Sequence, residues 1–371
     1  MKRSSSRAIR LFELLLLAAA ICSFANAAER SPANSARSEK TGRVAIAAGF
    51  DDVGDFSEGM AAARIGSKWG FIDKSGTMVI RPQFVEGRAP FSASFSDGLV
   101  AVRLGDKWGF IDRNGKVVIS PRFEGDEFSP PRFSDGLCLI REDYKYGYID
   151  TTGKFAIAPR FGMAWNFSEG VALVQEADGT HAYVDKTGNY ITDRRFSSAS
   201  PFREGLASVK IDGRFGFIDR SGKIAIAPRF DTASSFSDGL ALVLTGEKYG
   251  YIDQTGKTVF ELNFGEEIVN LLGENFAEGL AVVALGGSRQ ISGPVGKFGF
   301  MDKSGSIVIS PTFNSAASFS DGLASVSVAG KYGFIDKTGK FIIEPMFTDA
   351  SSFSEGLARV RIGKKYGFIA R

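Results

Sequence analysis

Residues 319–347 read FSDGLASVSVAGKYGFIDKTGKFIIEPMF, and most of the chain beyond residue 41 repeats this stretch. Repetition at a period of a few tens of residues is typical of stacked or ring-shaped repeat architectures. A glycine preceded by an acidic residue marks each copy, and these glycines recur 34 to 43 residues apart: Gly59, Gly98, Gly136, Gly170, Gly205, Gly239, Gly279, Gly322 and Gly356. The sequence therefore predicts nine copies of one unit of about 34 residues.

Each unit contains three segments with the character of β-strands. In the first, Ala324, Val326 and Val328 alternate with serines, which is the two-residue period of a strand. The second, KYGFID at residues 331–336, and the third, GKFIIEPMF at residues 339–347, are rich in aromatic and β-branched residues. Pro345 cannot donate to a sheet and marks the end of the third strand. Glycine-bearing turns between the segments predict a three-stranded antiparallel meander.

An aspartate repeats in the turn between the second and third strands. In the pattern D-x-x-G, the carboxylate can accept hydrogen bonds from the turn amides while the glycine takes a positive φ. One carboxylate per unit is far below the oxygen count that calcium needs, so we interpret these residues as turn formers. Eight copies carry the aspartate: Asp73, Asp112, Asp150, Asp185, Asp219, Asp253, Asp302 and Asp336.

The arrangement of the nine units has two possible forms. Residues 42–50 match a third strand and the sequence ends after a second strand, so nine copies of each strand type, 27 strands, are expected. Propellers usually contain four to eight blades of four strands, so nine three-stranded units favour an open, curved or superhelical β array. A closed, propeller-like toroid is the alternative. The terminal copies are no more polar than the others, which counts against an open array because its ends usually need caps.

The second strand carries the most recognisable motif. Residues 68–73 and 107–112 both read KWGFID, and six further copies have an aromatic-glycine pair in the same place. Over residues 42–371 this pattern resembles the WG-repeat family, also called KWG repeats, which is found in bacteria. The resemblance implies a β-rich repeat domain and does not imply an activity. The fourth copy has His181 and Ala182 instead, which predicts altered strand packing there.

The first 41 residues predict an exported protein. Residues 1–27 combine a basic start, an apolar run and a small-x-small end, which is typical of a signal peptide cut after Ala27. Residues 28–41 are polar and predict a flexible linker before the repeat domain at 42–371. The apolar run is too short to span a membrane, and no later run is longer. We therefore expect a periplasmic or extracellular protein with no membrane span.

The charge of the chain gives no indication of nucleic-acid binding. Residues 1–27 hold four of the 45 basic residues and one of the 42 acidic residues, so 41 of each remain after cleavage. A nucleic-acid partner needs a basic stripe on the folded domain, and the near balance argues against one.

Catalytic chemistry has little support in the residues. His181 is the only histidine, and Cys138 is the only cysteine after residue 27, so we expect no histidine-based triad, no zinc site and no cofactor. Cys138 replaces Ala or Val of other copies and is predicted to be a small buried residue. We expect a protein that is not an enzyme. A propeller-like hydrolase would need Asp and Glu residues clustered at one mouth of a channel.

Two binding functions remain. We favour a scaffold for a protein partner, with binding by the loop insertions that lengthen some copies, because insertions of one type fall on one face of a repeat array. The alternative is a protein that binds glycan or peptidoglycan with its repeated aromatics, although an aromatic beside glycine in a strand is more typical of core packing. The candidate residues in the insertions are Glu86, Arg88, Phe91, Asp126, Glu127, Phe128, Arg132, Glu266, Glu267, Asn270, Arg289 and Gln290.

Overall fold

The domain is built from short β-strands joined by turns. A computed structural model of the chain describes residues 42–85, 94–124, 130–262, 275–285 and 296–371. Within these ranges there is no helix long and apolar enough to cross a membrane. The strands are β1 Arg43–Phe50, β2 Asp52–Val53, β3 Met60–Ile65, β4 Lys68–Asp73, β5 Met78–Val85, β6 Leu99–Leu104, β7 Lys107–Asp112, β8 Val117–Phe123, β9 Phe133–Ser134, β10 Leu137–Glu142, β11 Lys145–Asp150, β12 Phe155–Phe161, β13 Met163–Ala164, β14 Val171–Gln175, β15 His181–Asp185, β16 Leu206–Ile211, β17 Arg214–Asp219, β18 Ile224–Phe230, β19 Thr232–Ala233, β20 Leu240–Thr245, β21 Lys248–Asp253, β22 Thr258–Leu262, β23 Leu280–Leu285, β24 Lys297–Asp302, β25 Ile307–Phe313, β26 Ser315–Ala316, β27 Ala324–Val328, β28 Lys331–Ile335, β29 Phe341–Phe347, β30 Leu357–Ile362 and β31 Lys365–Ala370.

These strands form nine antiparallel sheets, which we call blades and number along the chain. The predicted all-β fold of nine repeated antiparallel units is confirmed. The blades are blade 1 (β2–β5), blade 2 (β6–β8), blade 3 (β9–β12), blade 4 (β13–β15), blade 5 (β16–β18), blade 6 (β19–β22), blade 7 (β23–β25), blade 8 (β26–β29) and blade 9 (β30, β31 and β1).

Several blades begin with a short strand that the sequence did not predict. β13, β19 and β26 are two residues long, and each directly follows the third strand of the preceding blade. Each pairs with the far end of its own blade's first strand, as Ala164 does with Val174. A two-residue strand carries no measurable periodicity, so pattern analysis could not detect it. Blades 4, 6 and 8 therefore contain a very short opening strand in addition to the predicted strands.

Blade 4 departs from the prediction of nine third strands, because the described residues after β15 contain only isolated bridges, including Val184 to Tyr190 and His181 to Phe196. In other blades a glycine in the second strand makes room for the backbone of the third strand. Ala182 places a Cβ at that position, and the proline motif of the third strand is also missing from residues 186–196. The altered packing predicted for the fourth copy is confirmed.

The nine blades close into a ring. β1 pairs with β31, with Val44 opposite Ile369 and Ile46 opposite Phe368, so residues from both ends of the repeat region form blade 9. Blade 9 then packs on blade 1 through a core that includes Ile46, Val53 and Phe368. The array is therefore the closed, propeller-like toroid, which was the alternative in the sequence analysis. The pairing of β1 with β31 does not fit the open array, which the sequence favoured. In a ring every blade is covered on both faces, which explains why the terminal copies need no polar caps.

Among the described residues the core consists of nine separate clusters, one between each pair of neighbouring blades. Each contains an aromatic pair, formed by the second aromatic of a second strand and the phenylalanine that opens the next unit. The ring centroids lie 4.7–5.2 Å apart in all nine pairs, and such pairs contribute about 0.5–1.5 kcal/mol each beyond area burial. The pair Phe56–Phe368, at 4.8 Å, spans the closure and matches the other eight.

Candidate binding face

The ring has two faces with different turn chemistry. The turns that precede the first strands and the D-x-x-G turns lie at one end, since Met60 pairs with Asp73. We call this end the acidic-turn face. At the other end lie the turns between first and second strands and the crossings from one blade to the next. The amide of Gly66 in such a turn donates to Asp51 Oδ2 in a crossing, at 2.8 Å. We call this end the insertion face.

A continuous belt of hydrogen bonds runs around the acidic-turn face. The acidic residue of each unit accepts a bond from the glycine amide of the next unit, at 2.5–3.2 Å, and the Gly59 amide closes the belt by donating to Glu355. All nine acidic residues have φ between +52° and +56°, a strained conformation for a residue other than glycine. They are Glu58, Asp97, Asp135, Glu169, Glu204, Asp238, Glu278, Asp321 and Glu355. The repeated acidic-glycine pairs are therefore joints between blades, a role that sequence analysis missed because the partner lies in the next copy.

Lysines from the D-x-x-G turns pair with some of these carboxylates. Lys303 Nζ lies 2.8 Å from Asp238, and Lys74 Nζ lies 3.0 Å from Glu355. The hydrogen bond from Lys303 lowers the pKa of Asp238. Burial, the largest influence on Glu355, raises its pKa, but the bonds from Lys74 and the Gly59 amide outweigh it, and the net pKa is lowered. These carboxylates are held as anions in structural bonds, which does not suit a general acid.

The D-x-x-G aspartates bind their own turns, as predicted. Asp150 Oδ1 accepts from the Thr152 amide at 2.9 Å, from the Thr152 hydroxyl at 2.6 Å and from the Lys154 amide at 3.1 Å. These bonds, led by the one from the hydroxyl, lower the pKa of Asp150. Among the residues that the structure describes, no group of three or more His, Cys, Asp and Glu side chains could hold a metal ion.

The aromatic-glycine pairs serve the packing of the third strand. Opposite Gly147 the third strand bulges. A Cβ added to Gly147 would lie 2.6 Å from the Ile157 carbonyl oxygen and 2.7 Å from the Pro159 nitrogen. Trp69 and Trp108 are buried, and Tyr146, Tyr332 and Tyr366 are half-buried between blades. Stacking on a sugar needs an open aromatic face, so these positions favour the packing interpretation. The glycan-binding alternative stays a prediction.

The two residues that could have carried thiol or histidine chemistry lie between blades. Cys138 is fully buried in the core between blades 2 and 3, and burial raises the pKa of its thiol. His181 is half-buried beside Trp165, with ring centroids 5.9 Å apart. The predicted interpretation of Cys138 as a small buried residue is confirmed.

The four insertions attach to the insertion face. Val85 pairs with Lys68, Leu262 with Tyr249 and Leu285 with Lys297, and all three pairs lie beside turns between first and second strands. The remaining insertion begins after Glu124, whose carboxylate lies 3.0 Å from Lys107 Nζ beside another such turn. Eleven candidate residues lie outside the described residues: Glu86, Arg88, Phe91, Asp126, Glu127, Phe128, Glu266, Glu267, Asn270, Arg289 and Gln290.

Arg132, the remaining candidate, lines a cleft between blades 3 and 4. Arg132 is exposed, and the cleft has a volume of about 710 Å³. Its wall is part apolar and part charged, formed by Glu124, Pro130, Pro131, Arg132, Leu139, Ile140, Arg141, Tyr146, Ala164 and Asn166. The cleft can hold a polar segment of a partner, with guanidinium groups as its donors.

Comparison with known families decides the identity of the repeat. The WG containing repeat matches nine consecutive segments, residues 39–69, 69–108, 108–146, 146–179, 182–215, 215–249, 249–287, 298–332 and 332–366. The chain belongs to the WG-repeat family. Most matched segments run from one second-strand aromatic to the next, so the WG repeat as a sequence unit is offset from the blade as a structural unit.

Solved structures resemble the WG-repeat ring in fold. A crystal structure of a eukaryotic initiation factor is 14% identical, with 82% of this chain and 89% of that chain covered and a TM-score of 0.54. BamB from Moraxella catarrhalis is 11% identical, with coverage of 88% and 98% and a TM-score of 0.41. Sqt1 from Saccharomyces cerevisiae is 10% identical, with coverage of 89% and 99% and a TM-score of 0.42. Only the initiation factor has a TM-score above 0.5, and at 14% identity its likeness to this chain concerns the fold alone. No curated protein matches this sequence.

Proposed function

We propose that this WG-repeat protein is a non-enzymatic, exported scaffold that binds a protein partner at its insertion face. The observation that carries the proposal is the position of the insertions, since all four depart from the repeat at the same face of the ring. Loops on a rigid β scaffold are the usual place for binding residues.

The contrast between the two faces supports the choice of face. On the acidic-turn face every unit uses its carboxylate to bind the next blade and its glycine amide to bind the preceding blade, so these groups are already committed. On the insertion face the turns differ in length and charge from blade to blade. A partner that needs a unique orientation on a ninefold ring must contact the face where the blades differ.

The chemistry of the described residues supports a role in binding. The carboxylates with resolved pKa shifts have lowered values, whereas a general acid at neutral pH needs a raised one. Export is part of the proposal and rests on the signal-like residues 1–27.

Site-specific photocrosslinking in the exporting cell tests the face. A photoreactive amino acid replaces Ser67 or Glu247, which are exposed in turns of the insertion face, or Asn114 or Thr151, which are exposed in turns of the acidic-turn face. We expect discrete adducts with one polypeptide from the first two positions only. Equal adducts from both faces, or none from the insertion face, would contradict the proposal.

A further inference from the structure

One position in the first strand separates the blades into two groups. It lies opposite the first aromatic of the second strand, as Arg64 lies opposite Trp69, and its side chain faces the next blade because Met60 and Ala62 on the same side pack there. From blade 1 to blade 9 the residues are Arg64, Arg103, Arg141, Gln175, Lys210, Leu244, Ala284, Ser327 and Arg361.

The arginines at this position come from consecutive blades. Blades 9, 1, 2 and 3 carry Arg361, Arg64, Arg103 and Arg141, whereas blades 6, 7 and 8 carry Leu, Ala and Ser. Arg359 lies on the same side of β30 and reaches into blade 1, where its Nη1 donates to the Val53 carbonyl at 3.2 Å. We call these five residues the arginine arc. Ring closure makes the arc continuous, although its members are up to 297 residues apart in sequence.

Aromatic rings hold several of these guanidinium groups in place. The Arg64 guanidinium lies 5.7 Å from the Trp69 ring, that of Arg141 lies 5.7 Å from Tyr146, and that of Arg361 lies 5.6 Å from Tyr366. A guanidinium restrained over an aromatic ring loses less entropy when it binds a planar anion.

Nearby carboxylates neutralise only part of the arc. Asp52 lies 3.6 Å from Arg64, and Asp349 accepts a hydrogen bond from the Tyr366 hydroxyl at 2.9 Å. Arg141 is exposed and has no carboxylate within ion-pair distance among the described residues. It opens into the cleft that Arg132 also lines, so the end of the arc has two exposed arginines around one cavity.

We propose that the arginine arc and the cleft between blades 3 and 4 bind an acidic segment of a polypeptide. The inference rests on the proposed function and names the chemistry of the partner. Arginine pairs with carboxylates through two parallel N–H···O bonds, which the guanidinium groups along the arc can repeat for successive acidic side chains. The domain as a whole is near neutral, which favours a local acidic segment over an extended polyphosphate backbone, because the latter would need a longer basic surface.

Fluorescence anisotropy with a labelled Glu-rich peptide of about ten residues, some 33 Å when extended, tests the inference on the full chain. We expect binding that weakens as salt rises. Arg141→Ala should weaken binding of the peptide about tenfold. Arg141→Lys should restore only part of this affinity, because lysine returns the charge without the paired N–H donors of the guanidinium group. Lys210→Ala is the matched control, since Lys210 has the same position in blade 5, 5.4 Å from the Phe215 ring, but lies outside the arc. Thermal melts check that each variant is folded.

Three results would overturn the inference: no binding of the peptide, binding that Arg141→Ala and Arg64→Ala leave unchanged, or tighter arginine-dependent binding of an oligothymidylate or of phosphatidylglycerol vesicles. The two proposals fail separately. If the peptide does not bind while crosslinks from Ser67 and Glu247 persist, only the acidic partner is excluded. If the peptide binds but those crosslinks are missing, the binding face is wrong.

Discussion

Two identical second strands allow a direct test of why the repeat needs its glycine. β11 and β21 both read KYGYID, with Gly147 and Gly250 in the third place. Neither glycine has a positive φ, so alanine is compatible with the local backbone at both. The surroundings differ: a Cβ at residue 147 would lie 2.6–2.8 Å from three backbone positions of Ile157 and Pro159, whereas one at residue 250 would lie 3.0 Å from the Phe260 carbonyl and at least 3.6 Å from any other atom.

The expected magnitudes follow from these distances. Overpacking costs about 1–3 kcal/mol, and Gly147→Ala belongs at the upper end because backbone atoms at a bulge must move. Alanine returns about 0.4–1 kcal/mol by restricting the unfolded chain. We expect Gly147→Ala to lower the free energy of unfolding by about 2 kcal/mol, and Gly250→Ala to change it by less than about 1 kcal/mol.

Thermal and urea unfolding of the two variants measures the difference. In a domain of this size about 2 kcal/mol corresponds to a Tm lower by roughly 3 °C for Gly147→Ala, with Gly250→Ala close to the parent protein. Equal destabilisation of both variants would show that the second strand itself requires glycine, whatever the distance to the third strand. A larger loss for Gly250→Ala would refute the crowding argument.

Three further predictions concern closure, pH and the buried thiol. Ile46→Asp should lower the urea midpoint strongly, because a charge would be buried beside Phe368 at a cost of about 3–5 kcal/mol. The control Ala47→Asp, on the exposed side of the same strand, should leave the midpoint nearly unchanged. Equal midpoints for the two variants would argue against closure by β1. Stability should be flat from pH 8 to about pH 5 and fall as the pH drops below about 4. A carboxyl group whose pKa is lower in the folded than in the unfolded protein stabilises the fold at a pH above its unfolded pKa. That stabilisation is lost as the pH falls through the folded pKa. Melting curves across this range check the sign, and a Tm that rises on acidification would contradict it; the groups are Asp73, Asp150, Asp185, Asp219, Asp253, Asp302 and Asp336. Cys138 should react with a thiol reagent such as dithionitrobenzoate only after unfolding, because burial excludes the reagent and raises the pKa of the thiol; prompt labelling of the native protein would show that the site opens.

Local sequence by itself determined the unit. The alternation of residues 324–328 and the D-x-x-G turns predict a meander whose turns form as expected, because these signals depend only on neighbours along the chain. The missing aromatic-glycine pair at His181 and Ala182 likewise predicted altered packing in the fourth copy, although the loss of its third strand was not predicted. The insertions could be placed at one face, since equivalent positions of a repeat must lie at equivalent places.

Only the tertiary structure decided how the units are joined. Closure depends on the rotation between neighbouring blades summed over nine of them, and no single repeat encodes that sum. The pairing of Val44 with Ile369 and the bond from the Gly59 amide to Glu355 therefore appear only in the folded ring. The same closure places Arg361 and Arg64 at equivalent positions of adjacent blades, so the arginine arc continues across the closure in a way that residue spacing could not reveal. Even the identical KYGYID strands differ in crowding, because the third strand that approaches each glycine is a separate part of the chain.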